Sequence, residues 1–121
     1  MLSPELSEQF AEKIRKGPDL NKLPPDHKAA TLARLKWLIA ANKHQVPPSG
    51  DWWDIWLLLA GRGAGKTRCA AEWVWWEAWT NPNTRTLVSA PTSGDVRDVC
   101  FEGDSGLLNI IPQSLIRDYN K

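Results

Sequence analysis

The fold is decided by the stretch Ile55-Trp-Leu-Leu-Leu-Ala-Gly-Arg-Gly-Ala-Gly-Lys-Thr67, near the middle of a chain of 121 residues. Its first part, 55–60, is a continuous apolar run that ends at a glycine-rich turn, which is the form of a buried strand in a parallel sheet. Its second part, from Ala60 to Thr67, matches the phosphate-binding loop pattern except that Ala60 replaces the first Gly. The stretch therefore predicts a strand, a phosphate-binding turn and a helix.

The spacing within this loop explains the chemistry expected of it. Glycines allow the backbone to turn successive N–H groups inward and to approach an anion closely. Lys66 is then placed to reach the β- and γ-phosphates of a nucleotide, and the Thr67 hydroxyl to bind Mg²⁺. The alternative is a glycine-rich turn that binds nothing. The predicted phosphate-binding residues are Gly61, Arg62, Gly63, Ala64, Gly65, Lys66 and Thr67.

Side chains in and near the loop leave alternatives open. Arg62 is either a solvated loop residue or a second cation near the γ-phosphate that stabilises charge in the transition state. Gln45 is an exposed loop glutamine on sequence alone, although its amide has the donor and acceptor needed to read an adenine edge. Arg68 is expected on the helix surface. The spacing excludes a dinucleotide fingerprint, because Lys66 stands where that pattern needs Gly.

Outward from the loop, the sequence predicts helices before it and an alternation of strand and helix after it. The chain up to about Lys16 and the segment from a capping Asp26 to about Asn42, with an apolar stripe of leucines and Ile39, have helical patterns. Beyond the loop we expect a helix Lys66–Trp79, a strand Thr84–Ala90 and a helix at about 95–101. The predicted class is α/β: an incomplete P-loop NTPase fold, in which helices flank a parallel sheet, preceded by N-terminal helices.

Composition excludes several classes of protein. Lys and Arg total 15 against 14 Asp and Glu, so no general basic surface for nucleic acid or membrane is expected. The two cysteines and two histidines form neither a disulfide framework nor a zinc spacing. No apolar run approaches the roughly 20 residues that span a bilayer, and no signal peptide is evident, so we expect an intracellular protein.

Tryptophan is concentrated around the loop, with seven of the eight tryptophans between Trp52 and Trp79. On a helical wheel from Lys66, the large aromatic residues occupy one arc and the small apolar residues the adjoining arc. This pattern predicts a helix packed on both faces, with stacking on bases as the alternative.

Several segments together resemble the large terminase subunit of tailed bacteriophages and prophages, over about Leu23 to Tyr119. The family is a motor that hydrolyses ATP, with Mg²⁺, to translocate double-stranded DNA into a procapsid. The resemblance implies that Gln45 contacts adenine, that 60–67 is the Walker A motif and that Arg62 is its loop arginine. It also implies a portal protein and a small terminase subunit as partners, in the cytoplasm of a bacterial host. The segments that carry it are Gln45–Trp52, Trp56–Arg68, Ala70–Val74, Ala90–Asp98 and Glu102–Leu108.

Two parts expected in that family have no counterpart in the sequence. No apolar strand runs into Asp-Glu as a Walker B motif does, and the nuclease carboxylates are absent. We therefore expect residues 1–50 to be a helical region that carries Gln45, and 51–121 to be the first part of an ATPase domain that is inactive without the rest of a split or truncated terminase. The alternative is a non-catalytic remnant or interaction module; a different P-loop enzyme, such as a helicase or kinase, ranks last.

Overall fold

The computed structural model describes residues 3–5, 8 and 20–120, and two long helices dominate them. Helix α1 spans Pro25–Ala40 and helix α2 spans Lys66–Thr80. The remaining elements are short. They are the 3-10 turns Leu20–Lys22, Lys43–Gln45 and Gln113–Leu115, helix α3 at Ser93–Asp95, the π-helix Val96–Phe101 that continues it, and helix α4 at Leu107–Ile110.

Prolines and glycines set the ends of the two long helices, as predicted. Helix α1 begins with Pro25 in its first turn, where a missing N–H has no cost. Its N-cap is Pro24 rather than the predicted Asp26. Helix α2 follows Gly65 in a left-handed conformation and ends before Asn81-Pro82. The predicted helix up to Lys16 lies almost wholly outside the described residues.

The core lies between α1 and α2, and small side chains allow their close approach. One cluster joins Ala30 of α1 to Ala71 and Trp75 of α2 and to Leu107 of α4. A second cluster contains Trp37, Ala41 and Cys69. The apolar stripe predicted for α1 is only partly right, because Ile39 is 70 % exposed. No helix within 3–5, 8 and 20–120 is long and apolar enough to cross a membrane.

The predicted parallel sheet is absent: residues 3–5, 8 and 20–120 contain no β-strand, and the expected α/β class with an incomplete P-loop NTPase fold is wrong. No backbone hydrogen bond joins the candidate strands 55–60 and 84–90, both of which are described. Each segment lines a separate groove against the same α2 side chains, Lys66, Ala70 and Val74. A strand requires a neighbour whose backbone exchanges hydrogen bonds with it, and here each segment has helix side chains as its neighbour.

The two segments nevertheless have one covered and one uncovered side. In 55–60, Trp56 and Leu58 pack against the second cluster, whereas Ile55, Leu57 and Leu59 are 85 %, 71 % and 85 % exposed. In 84–90, Val88 packs against the first cluster and Leu87 is 90 % exposed. We call Ile55, Leu57, Leu59 and Leu87 the outer apolar side chains. They make these segments apolar without being part of the core.

Candidate functional site

The loop that joins residue 60 to α2 has the backbone conformation that its glycines permit. Gly63 and Gly65 have φ values of +76° and +80°, which L side chains rarely adopt. The Ala64 N–H donates to the Gly61 carbonyl at 3.4 Å and closes the turn. Gly61 itself has an ordinary φ, and a β-carbon added there would have no neighbour within 4 Å. Glycine is therefore required by conformation at positions 63 and 65, but not at 61.

Lys66 is the first residue of α2, and its side chain folds back onto the loop. The Nζ donates to the Gly61 carbonyl oxygen at 2.9 Å and also to the carbonyl oxygen of Ala60. The side chain remains exposed to solvent. The ammonium group thus neutralises carbonyl dipoles of its own loop, and an anion that enters would compete with these two oxygens.

The other predicted ligands differ in their surroundings. Thr67 is half-buried and lines, with Lys66, one end of a groove of about 290 Å³. Ser89 is polar and also lines this groove, whereas Val74 and Leu107 make its wall apolar. Arg62 is exposed on the loop and does not line this groove. The structure therefore brings Lys66 and Thr67 together and leaves Arg62 apart from them.

Gln45 lies directly behind the loop, and the expectation of an exposed loop glutamine is wrong because its residue exposure is only 7 %. Its Oε1 accepts a hydrogen bond from the Asn42 N–H at 2.8 Å, and its Nε2 donates to the Gly65 carbonyl at 3.3 Å. The Cys69 Sγ donates to the Gln45 backbone carbonyl at 3.1 Å. Contact between Gln45 and adenine stays a prediction.

His44 is a residue to which the sequence assigned no role, and it contacts the loop as well. Its Nε2 lies 3.5 Å from the carbonyl oxygen of Ala64. The 3-10 turn Lys43–Gln45 therefore reaches two consecutive loop carbonyls, those of Ala64 and Gly65. The only sequence signal for this contact was the position of the turn between two helices, which does not specify what it touches.

A buried carboxylate lies on the first turns of α2, beyond the loop. Glu72 is 3 % exposed, and its Oε1 accepts from Arg68 Nη2 at 2.8 Å while its Oε2 accepts from Trp75 Nε1 at 2.9 Å. The Arg68 guanidinium also lies 5.4 Å from the centre of the Trp37 ring. Burial lowers the pKa of Arg34 on α1, and the Glu72 charge opposes that effect. The four-residue spacing of Arg68 and Glu72 was visible in the sequence, but the burial of Glu72 was not.

The two thiols differ in environment, and we expect them to differ in reactivity. Cys69 is 1 % exposed, and burial raises its pKa, with the Arg34 charge opposing and the Glu72 charge adding to the shift. Because the unfolded chain releases this proton first, stability contributed by the thiol is lost as the pH rises past the ordinary thiol value of about 8.5. Cys100 is half-buried and lines the groove. At pH 8 a maleimide should label Cys100 well before Cys69, as followed by mass spectrometry of peptides; equal rates at both would contradict this arrangement.

Comparison with known families gives one match. The family described as "Terminase large subunit, T4likevirus-type, N-terminal" matches residues 57–120, which is more than half of the chain. No curated protein and no solved structure matches the chain significantly. The matched range contains the loop, all of α2 and the π-helix. The chain therefore belongs to the N-terminal family of T4-like terminase large subunits, which act in phage DNA packaging.

Proposed function

We propose that the chain is the ATP-binding segment of its phage terminase and that residues 60–67 hold the nucleotide phosphates. The observation that carries this proposal is the pair of positive φ values at Gly63 and Gly65, directly before Lys66 begins a helix of 15 residues. The first N–H groups of a helix have no acceptor within the helix, and its dipole favours an anion at this end. The loop and α2 together supply the features of an anion-binding helix N-terminus.

Side chains at this helix end fit a phosphate and a magnesium ion. Lys66 would exchange two neutral carbonyl acceptors for phosphate oxygens, and charge-assisted hydrogen bonds are the stronger ones. Thr67 would hold Mg²⁺ through its hydroxyl. Within the described ranges no group of three or more His, Cys, Asp and Glu could hold a metal ion, so Mg²⁺ would depend on phosphate oxygens and water for its other ligands. The bound ion would screen phosphate charge, and the exposed Arg62 would supply a further positive charge there.

The proposal is tested by the affinity of the whole chain for Mg·ATP, measured by isothermal titration calorimetry with and without Lys66→Ala. Loss of a charge-assisted bond to phosphate should weaken binding at least about tenfold. Lys36→Ala removes an exposed lysine from α1 and is the matched control, for which unchanged affinity is expected. Absence of ATP binding by the natural chain, or the same affinity after Lys66→Ala, would refute the proposal and favour the non-catalytic remnant or interaction module.

The wider role that we propose follows from the family to which the chain belongs. We propose double-stranded DNA as the packaged molecule and the portal protein, the small terminase subunit and the remainder of a terminase as partners, in the cytoplasm of a bacterial host. Family membership supports DNA packaging in general. A pull-down of the small subunit or portal that persists after Lys66→Ala would show that partner binding is independent of the nucleotide.

A further inference from the structure

We infer that Gln45 supports nucleotide binding by holding the phosphate-binding loop in position, and that its amide does not read the adenine base. Gln45 is thus assigned as a positioning residue. The inference rests on the proposed ATP site, because it concerns the means by which a residue outside the loop affects that site.

The first support is that the amide of Gln45 is already used within the chain. A glutamine that reads an adenine edge must direct both its C=O and its N–H toward the base. Here the Oε1 accepts from the Asn42 N–H at 2.8 Å and the Nε2 donates to the Gly65 carbonyl at 3.3 Å. With 7 % exposure, the side chain would have to break both bonds and leave its site to meet a base. Such a movement would leave buried backbone groups without partners, which is costly.

The second support is the position of the acceptor. Gly65 is the N-cap of α2, immediately before Lys66, and its carbonyl also accepts the Cys69 N–H at 3.0 Å. A β-carbon on Gly65 would lie 2.4 Å from the Gln45 Nε2, so the backbone of the loop packs directly on the amide. The Cys69 Sγ, one turn along α2, holds the backbone carbonyl of Gln45 at 3.1 Å. Gln45 therefore connects the turn Lys43–Gln45 to both the loop and the helix that follows it.

The two roles of Gln45 predict different ligand dependence. A residue that reads the base affects ATP but not inorganic tripolyphosphate, which has no base. A residue that positions the loop affects both ligands by the same factor, because both need the loop N–H groups and Lys66. The uncharged substitution Gln45→Met is suited to this test, since it keeps the length of the side chain and adds no negative charge near the phosphates.

We expect Gln45→Met to weaken Mg·ATP and Mg·tripolyphosphate to the same extent, by about fivefold, the effect of one lost hydrogen bond. The matched control is Gln113→Met, because the exposed Gln113 also donates from its Nε2 to a backbone carbonyl, that of Leu108 at 2.8 Å, away from the loop. This control should change neither affinity. Weakening of ATP alone would overturn the inference and leave the ATP site intact, and so would no change in either ligand.

Amide hydrogen exchange of the ligand-free chain separates a local effect from loss of folding. In Gln45→Met we expect faster exchange in residues 61–67, with the middle of α1 and the second half of α2 unchanged. A uniform increase throughout both helices would overturn the assignment as a positioning residue. If the natural chain binds neither ligand, the proposed function fails, while exchange still decides whether Gln45 holds the loop.

Discussion

Gly65→Ala is expected to reduce the free energy of unfolding by about 3 kcal/mol, which is a large part of the stability of a small domain. An alanine at the φ of +80° costs about 1 kcal/mol or more. The new β-carbon would also meet the Gln45 Nε2 at 2.4 Å and displace it. The buried amide would then lose its acceptor, at a cost of about 1–3 kcal/mol. The measurement is urea unfolding followed by tryptophan fluorescence.

Two other glycines of the same loop provide the controls for this prediction. Gly63 has almost the same φ, +76°, but nothing within 4 Å of an added β-carbon, so Gly63→Ala should cost only about 1 kcal/mol. Gly61→Ala should be within about 0.5 kcal/mol of the natural chain. In a Gln45→Met background, Gly65→Ala should cost no more than Gly63→Ala, because the amide it displaces is gone. Equal costs at Gly65 and Gly63 in the natural chain would refute the close packing of Gln45 on the loop.

Glu72→Ala is expected to destabilise the chain by about 3 kcal/mol. The substitution removes the acceptor of the Trp75 indole N–H, whose residue is only 3 % exposed, and opens a cavity at a carboxylate that is itself 3 % exposed. Arg68 is less affected, since its side chain is 44 % exposed and can bind water instead. Chemical unfolding of the natural and altered chains measures the difference.

Graded substitutions distinguish the hydrogen bond of Glu72 from its charge. Glu72→Gln keeps the size and one acceptor oxygen, so we expect about half of the loss seen with alanine. Glu77→Ala lies on the same helix, where its carboxylate accepts only from Asn81 among exposed groups, and should cost about 0.5 kcal/mol. A loss for Glu72→Gln as large as that for Glu72→Ala would assign the effect to the ion pair with Arg68 rather than to the bond with Trp75.

The long helices could be predicted from the sequence because their limits are local. Pro25, Gly65 and Asn81-Pro82 act on the backbone within one turn, whatever lies elsewhere in the chain. The sheet could not be predicted in the same way. The apolar run 55–60 indicates which side chains avoid water, but it does not indicate a hydrogen-bonding neighbour, and α2 covers one side of the run instead.

The candidate site divides along the same line. The order of glycines, Lys66 and Thr67 in the sequence predicts that a loop leads into a helix, and the structure has that arrangement. The contact between Gln45 and Gly65 joins residues 20 positions apart and depends on how α1 packs against α2. The burial of Glu72 depends on the same packing, so no local pattern could have identified either.

The outer apolar side chains have a consequence for the response of the chain to temperature. Ile55, Leu57, Leu59 and Leu87 are already in contact with water in the folded state, at 71 % to 90 % exposure. Unfolding therefore hydrates little additional surface at these residues, and hydration of apolar surface is what gives unfolding its positive heat-capacity change. The heat-capacity increment should be smaller than the apolar content of residues 55–60 suggests, and the stability curve of the chain correspondingly flatter, with weaker destabilisation on cooling.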